Sequence, residues 1–210
     1  MNLFLASRNE GKRREVAQIL EPLGFSLRTP EEAGAPPGIE FPEDGDTFED
    51  NALSKARALR ALTGGWCLAD DSGLEVDALG GSPGVRSARY AGCGGAAAER
   101  DRANLEKLLR ELAGVAAPRR TARFVCVVAL IGPDGAEIVA RGECPGEIIE
   151  TPRGRGGFGY DPVFVPHGYD RTMAELAPAE KNLISHRGRA LRRLAERLRQ
   201  SGIMASGAGG

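Results

Sequence analysis

Leu3-Phe4-Leu5-Ala6-Ser7-Arg8-Asn9-Glu10-Gly11-Lys12 begins as a short apolar run and breaks into a polar turn that holds a glycine and a lysine. Beyond it Val16, Ile19, Leu20 and Leu23 recur at helical spacing, until Gly24 supplies the left-handed stop that helix ends favour. Strand, polar loop and helix in that order form the repeating unit of an α/β fold, and the loop amides lie at a helix N-terminus, where an anion is favoured. The loop nearly matches a Walker A sequence, but Ala6 stands where the first glycine belongs and Arg13 replaces the Ser/Thr, so a standard P-loop is disfavoured. Ser7 and Asn9 as donors and Lys12 as a point charge still suit an anion. A plain polar helix start with solvated Lys12, Arg13 and Arg14 is the competing reading.

Outward from this unit the pattern continues. Residues 28 to 46 carry four prolines, at 30, 36, 37 and 42, and predict an irregular connection. Thr47-Phe48-Glu49-Asp50 resembles a capping box, after which Phe48, Ala52, Ala56 and Leu59 line one helical face. Trp66-Cys67-Leu68-Ala69 predicts a buried strand ending at Asp70. A second short extended run then reaches a sharp turn at Gly80-Gly81-Ser82-Pro83-Gly84. Leu105, Leu108, Leu109 and Leu112 place an amphipathic helix at about 98 to 113. Phe124 to Ile131, joined through Gly132-Pro133-Asp134-Gly135 to Glu137-Ile138-Val139-Ala140, predicts a hairpin. Val163-Phe164-Val165 predicts one more strand, and Leu191, Leu194 and Leu198 a last helix over about 187 to 200, its arginines solvated. The expected fold is α/β, a mixed sheet flanked by helices, in one domain over residues 1–200 with a frayed tail over 201–210.

The chain has 210 residues, 41% of them hydrophobic and 27% charged, which is the composition of a soluble globular protein. A net charge of −1 gives no overall field for capturing nucleic acid, so any polyanion must be bound locally. The four cysteines show no C-x-x-C spacing, and Cys67 and Cys126 fall in apolar runs, which suggests free thiols and a reducing compartment. The N-terminus lacks a signal-peptide pattern, and nowhere do 18 apolar residues run together. A cytoplasmic location with no membrane partner is the expectation.

Five polar segments stand at predicted element ends: Ser7 to Lys12, Asp50-Asn51 with Lys55, Asp70-Asp71-Ser72-Gly73, Gly156-Gly157-Phe158-Gly159-Tyr160-Asp161, and Lys181 with Ser185-His186-Arg187. Together they offer cations and amides for phosphates, carboxylates for a divalent metal, and an aromatic for a base: a nucleoside triphosphate site. The acids at Glu40, Glu43, Asp44, Asp46, Glu49 and Asp50 lie near a helix start, where the macrodipole alone favours them. Asp70 and Asp71 differ, because two carboxylates closing a buried strand are costly to desolvate without a cation or hydrogen bonds. Neighbours on a strand point to opposite faces, so one of the two reaches any given site; an Asx-type turn into Ser72-Gly73 is the alternative. Magnesium suits hard oxygen ligands and is commonly held by one or two carboxylates plus substrate phosphates. One carboxylate from the acidic stretch and one from Asp70-Asp71 would suffice, with Lys12, Lys55 and Lys181 sharing the phosphate charge. Glycines around Phe158 let a ligand approach the backbone, or else form a tight turn with Phe158 in the core. His186 and Arg187 open the last helix, where a hydrogen-bonding histidine and a surface arginine are the plainer reading.

In this order the segments resemble the inosine/xanthosine triphosphate pyrophosphatase family. The resemblance is carried by Ser7-x-Asn9-x-x-Lys12, Phe48-x-x-Asn51-Ala52 with Lys55-Ala56, Ala69 to Leu74, Gly80-Gly81-x-Pro83-Gly84, Ser87-Ala88-Arg89-Tyr90, Gly156 to Pro162 and Lys181 to Arg187, over about residues 3 to 200. It implies hydrolysis of dITP, ITP and XTP to the monophosphate and pyrophosphate with Mg2+, in a homodimer whose subunits hold the site in a central cleft between two lobes. Carried over by position, Ser7, Arg8, Asn9, Glu10, Gly11 and Lys12 would bind phosphates. Asp71 would be proton acceptor and metal ligand, and Glu43 the second metal-site carboxylate. Ser72, Lys55 and Lys181 would contact triphosphate or sugar, while Phe158, Gly159, Tyr160 and Asp161 with His186 and Arg187 would enclose the base. One departure stands out: Asp50-Asn51 replaces the usual Glu-Asn. A Maf-type pyrophosphatase, whose first loop usually carries Ser-Pro-Arg-Arg, is disfavoured by Asn9-Glu10-Gly11-Lys12, and a nucleotide-binding regulator by the acid pair Asp70-Asp71.

Overall fold

The computed structural model describes residues 1–203; of the expected tail, residues 204–210 lie outside the described residues. The chain opens with β1 (Asn2–Leu5), α1 (Glu10–Leu20) and β2 (Ser26–Arg28), followed by α2 (Phe48–Thr63) and β3 (Cys67–Val76). Next come α3 (Ala97–Glu111), β4 (Thr121–Ile131), β5 (Glu137–Ile148), β6 (Phe164–Pro166), α4 (Pro178–Ile184) and α5 (His186–Gln200). The strands hydrogen-bond in the order β2-β1-β3-β4-β5-β6. β1 runs parallel to β2 and to β3, with Phe4 opposite Cys67 and Leu5 opposite Leu68, whereas β5 and β6 are antiparallel. The fold is therefore α/β with a mixed sheet flanked by helices.

The chain divides into two compact units, and β3, β4 and β5 each contribute a stretch to both. The first unit comprises Met1–Asp71, Val127–Gly142 and the chain from Arg187. Its helices bury Phe48, Ala52, Ala56 and Leu59 on α2 and Leu191, Leu194 and Leu198 on α5, as the sequence spacing selects, whereas of the α1 stripe Val16 and Leu20 are buried, Ile19 is half-buried and Leu23 lies half-buried beyond the helix. The second unit comprises Ser72–Cys126 and Glu143–His186. Leu74, Val76, Leu108, Leu112, Phe124, Tyr160, Val163 and Phe164 form one buried cluster there, with the Phe124 and Phe164 rings 4.5 Å apart at their centroids.

The structure departs from the sequence reading at five places. β3 does not end at Asp70 but runs unbroken for ten residues to Val76, its two aspartates both meeting cationic or amide partners in the interior. β5 continues past Ala140 to Ile148, through residues that alternate buried and exposed instead of forming an apolar run. β2, an exposed three-residue strand, and α4, opened by Pro178, carry too little apolar periodicity to be predicted. The arginines of α5 are also mixed in fate: Arg193, Arg197 and Arg199 are exposed, but Arg189 and Arg192 are half-buried and Arg187 is fully buried.

Candidate active site

In the first unit the turn after β1 is fixed by local chemistry. Asn9 caps α1, its side-chain oxygen accepting from the Lys12 amide at 3.0 Å, and Ser7 Oγ accepts from the Asn9 amide at 3.3 Å. Arg8 leaves the cap and pairs with Glu40 and the Gly38 carbonyl at the surface, while Glu10 and Gly11 form the first turn of α1. The cap directs Lys12 back over the strand ends, where its ammonium lies 3.0 Å from Asp70 Oδ2. Arg187, the second residue of α5, meets the same oxygen at 3.1 Å and pairs also with Glu15 of α1. Burial alone would raise the Asp70 pKa, but Lys12 and Arg187 outweigh it and hold the carboxyl well below the usual aspartate range. Its other oxygen, Oδ1, is buried and accepts no hydrogen bond from the described residues.

Asp71 has a different set of partners, as strand alternation predicts. Asn51 of α2 donates to its Oδ2 at 3.0 Å, and Lys55, one turn further along α2, lies 3.4 Å from Oδ1. Thr47 makes this possible by capping α2 through the Asp50 amide, which fixes the helix start three residues before Asn51. Asn51 also accepts from the Gly45 amide at 2.8 Å, drawing in the acidic stretch so that Glu43 reaches Lys55 Nζ at 2.5 Å. Glu43 is thus the member of that stretch brought to the cluster, while Glu40 pairs with Arg8 and Asp50 accepts from the Thr47 hydroxyl at 2.6 Å. Asp71 is pushed above the usual aspartate value by burial, which Lys55, Lys12 and Asn51 only partly offset. Burial works against the Lys55 ammonium, but Asp71, Asp70 and Glu43 outweigh it and raise its pKa. Among the described residues no group of three or more His, Cys, Asp or Glu side chains converges as a ready metal centre.

The remaining predicted residues lie in the second unit, with Ser72 half-buried on β3. Gly157 and Gly159 both take positive φ, +72° and +61°, and hold the half-buried Phe158 between them. A Cβ on Gly157 would overlap Asp161 Oδ2, so this position has room only for glycine. Asp161 is buried; its Oδ2 accepts from the Phe158 amide at 2.9 Å and from Lys181 Nζ at 2.7 Å. The same ammonium sits 5.0 Å from the centre of the Phe158 ring. Tyr160 is buried and its hydroxyl donates to the Ser87 carbonyl at 2.9 Å, which makes it an anchor for the loop. His186 is buried and stacks on Phe124, ring centres 4.8 Å apart and planes 14° from parallel.

Residues 3–197 match the model of the Ham1 family. The chain belongs to the Ham1 family. A relative from Mycobacterium tuberculosis named dITP/XTP pyrophosphatase is 54% identical over 198 residues, covering 94% of this chain and 95% of its own. One from Bacillus licheniformis, with the same name, is 49% identical over 199 residues, 95% of this chain and 98% of its own. The solved structure of the Staphylococcus aureus Ham1 protein superposes with a TM-score of 0.82 at 39% identity, covering 96% of this chain and 100% of that one.

Two residues of this Ham1 chain that matter to the geometry are missing from the sequence reading. Glu15 pairs with Arg187, and its signal is its place three residues after Lys12, on the same face of α1. Asp101 of α3 accepts from the Gly159 amide at 2.9 Å, and its only signal is its place three residues before Asn104, the buried polar residue of that helix.

Proposed function

We propose that this Ham1 chain hydrolyses the nonstandard purine nucleotides dITP, ITP, XTP and dXTP to the monophosphate and pyrophosphate, clearing deaminated purines before they enter DNA or RNA. The observation that carries the reading is the contrast between two adjacent carboxylates. Asp70 is held ionised by Lys12 and Arg187, while Asp71 is buried with its pKa raised beside Lys55. In the metal-free protein a carboxylate so raised is a better proton acceptor than an ordinary aspartate, which suits Asp71 to take the proton of the attacking water. Relatives about half identical over nearly their whole length, and named dITP/XTP pyrophosphatase, support the same assignment.

The oxygen donors fit a hard dication. Asp71 and Glu43 already converge on one cation, Lys55 Nζ, and two carboxylates are what magnesium commonly takes beside phosphates and water. These two residues would hold Mg2+, which when bound supplies charge neutralisation on the phosphate oxygens. Lys12, Lys55 and the amides that open α1 would meet the phosphate charge directly, Asp70 keeping Lys12 in place. As water attacks, its proton passes to Asp71 and the phosphoanhydride bond breaks to release pyrophosphate.

For the base, Phe158 with Lys181 offers an aromatic face and a cation, and His186 a donor for the 6-oxo group of hypoxanthine or xanthine. Adenine would present a donor in that place, so that a donor rather than an acceptor faces the imidazole, at a cost of about 1–3 kcal/mol. Arg187 is committed to Asp70 and Glu15, and the Phe158 and Gly159 amides to Asp161 and Asp101, so these groups act by holding the site in shape. A homodimer in a reducing cytoplasm completes the proposal; four free cysteines support the compartment.

The decisive experiment is a panel of common and deaminated triphosphates with magnesium, scoring pyrophosphate against orthophosphate. The expected result is pyrophosphate from dITP and XTP and little from dATP. Asp71→Asn should still bind nucleotide but lose about 10²-fold or more in kcat. Full activity in that variant, or orthophosphate as the product, would overturn the proposal.

A further inference from the structure

We infer that Asp101 is a positioning residue for the glycine-rich loop and thereby sets selectivity for the purine base; this rests on the proposed reading of Phe158 as a base contact. Two consecutive amides of the loop are each claimed by a carboxylate: Phe158 N–H donates to Asp161 and Gly159 N–H to Asp101, both at 2.9 Å. Asp161 is a local partner three residues along, whereas Asp101 comes from another element 58 residues away. Since Gly157 and Gly159 both adopt positive φ, the backbone around Phe158 has wide conformational freedom unless something outside the loop restrains it.

Packing does not supply that restraint on the α3 side. There the helix and the loop line a cavity of about 640 Å3, with Leu105 and Leu109 from α3 and Pro152, Phe158 and Pro162 from the other wall. Asp101 spans the gap with its hydrogen bond to the Gly159 amide. Its own helix is tied down by hydrogen bonds. Asn104, on the same helical face, is buried and bonds the Ala91 amide at 2.7 Å and the Ala88 carbonyl at 3.2 Å, and Lys107 reaches the Tyr90 carbonyl at 2.8 Å. Helix α3 is thereby fastened to the segment that also receives the Tyr160 hydroxyl, so the loop is referenced to one frame at two points.

The test compares wild type, Asp101→Asn and Asp101→Ala on dITP and dATP with magnesium, together with hydrogen exchange of the Gly159 amide. Asn retains an acceptor oxygen and should behave as wild type. Ala should raise KM for dITP, leave kcat within about twofold, lower the dITP-to-dATP ratio of kcat/KM roughly tenfold, and speed Gly159 exchange. An unchanged ratio in Asp101→Ala overturns the inference, as does unchanged Gly159 exchange. If wild type itself shows no preference for dITP, the functional reading falls separately, and Gly159 exchange still decides whether Asp101 holds the loop.

Discussion

Asp70 and Asp71 are chemically identical neighbours, and the strand's alternation gives them opposite electrostatic fates. Asp70 is turned toward Lys12 and Arg187, and Asp71 toward Asn51 and Lys55. Burial opposes ionisation of both, but a pair of close cations reverses it for Asp70 while the fewer attractions on Asp71 do not. Carboxyl carbons followed by NMR in the metal-free protein should therefore titrate in a fixed order. As pH falls, Asp71 takes up its proton first, above the ordinary aspartate value of 3.8, and Asp70 stays ionised well below it. The reverse order would contradict the division of labour proposed for the pair. That the two acids differ was legible from strand alternation alone; which one is neutralised was not, because Glu15, Lys12 and Arg187 meet only through the fold.

At the scale of elements, helix faces and caps were the legible part, since period and capping are local. The apolar stripes of α2 and α5 are buried as their spacing predicts, those of α1 and α3 only in part, with Ile19, Leu23, Leu105 and Leu109 half-buried, and Asn9 and Thr47 cap the helices that they precede. What could not be read was how helices are tied by charge. Arg187 in the first turn of α5 looked like a base contact or surface charge, yet it is about 1% exposed and joins α5 to β3 through Asp70 and to α1 through Glu15. Removing one partner of such a pair strands the other charge in the interior. Arg187→Met should lower stability by about 3–5 kcal/mol in urea unfolding, and adding Asp70→Asn should restore part of it. A loss below about 1 kcal/mol would show that the pair is solvated and holds nothing together.

The whole molecule is two compact units that are not two segments of chain. The first is assembled from three stretches and the second from two, with β3, β4 and β5 running through both. The length of 210 residues points to one domain, and because the stretches of the two units alternate along the chain neither unit can be cut out as a contiguous piece. Shared strands couple the units, because unravelling one stretch of β3, β4 or β5 strips ladder hydrogen bonds from the rest of that strand; a single cooperative transition is expected. The cysteines report on it. Cys93 is exposed, whereas Cys67 is buried in the first unit and Cys126 and Cys144 in the second. Burial also raises the Cys67 pKa, which keeps that thiol protonated and slow to react. Pulsed thiol labelling across a urea gradient, read by mass spectrometry, should find Cys93 labelled throughout. Cys67, Cys126 and Cys144 should become reactive together at one midpoint. If Cys67 opens at a different urea concentration from Cys126 and Cys144, the units unfold independently and the shared strands do not couple them.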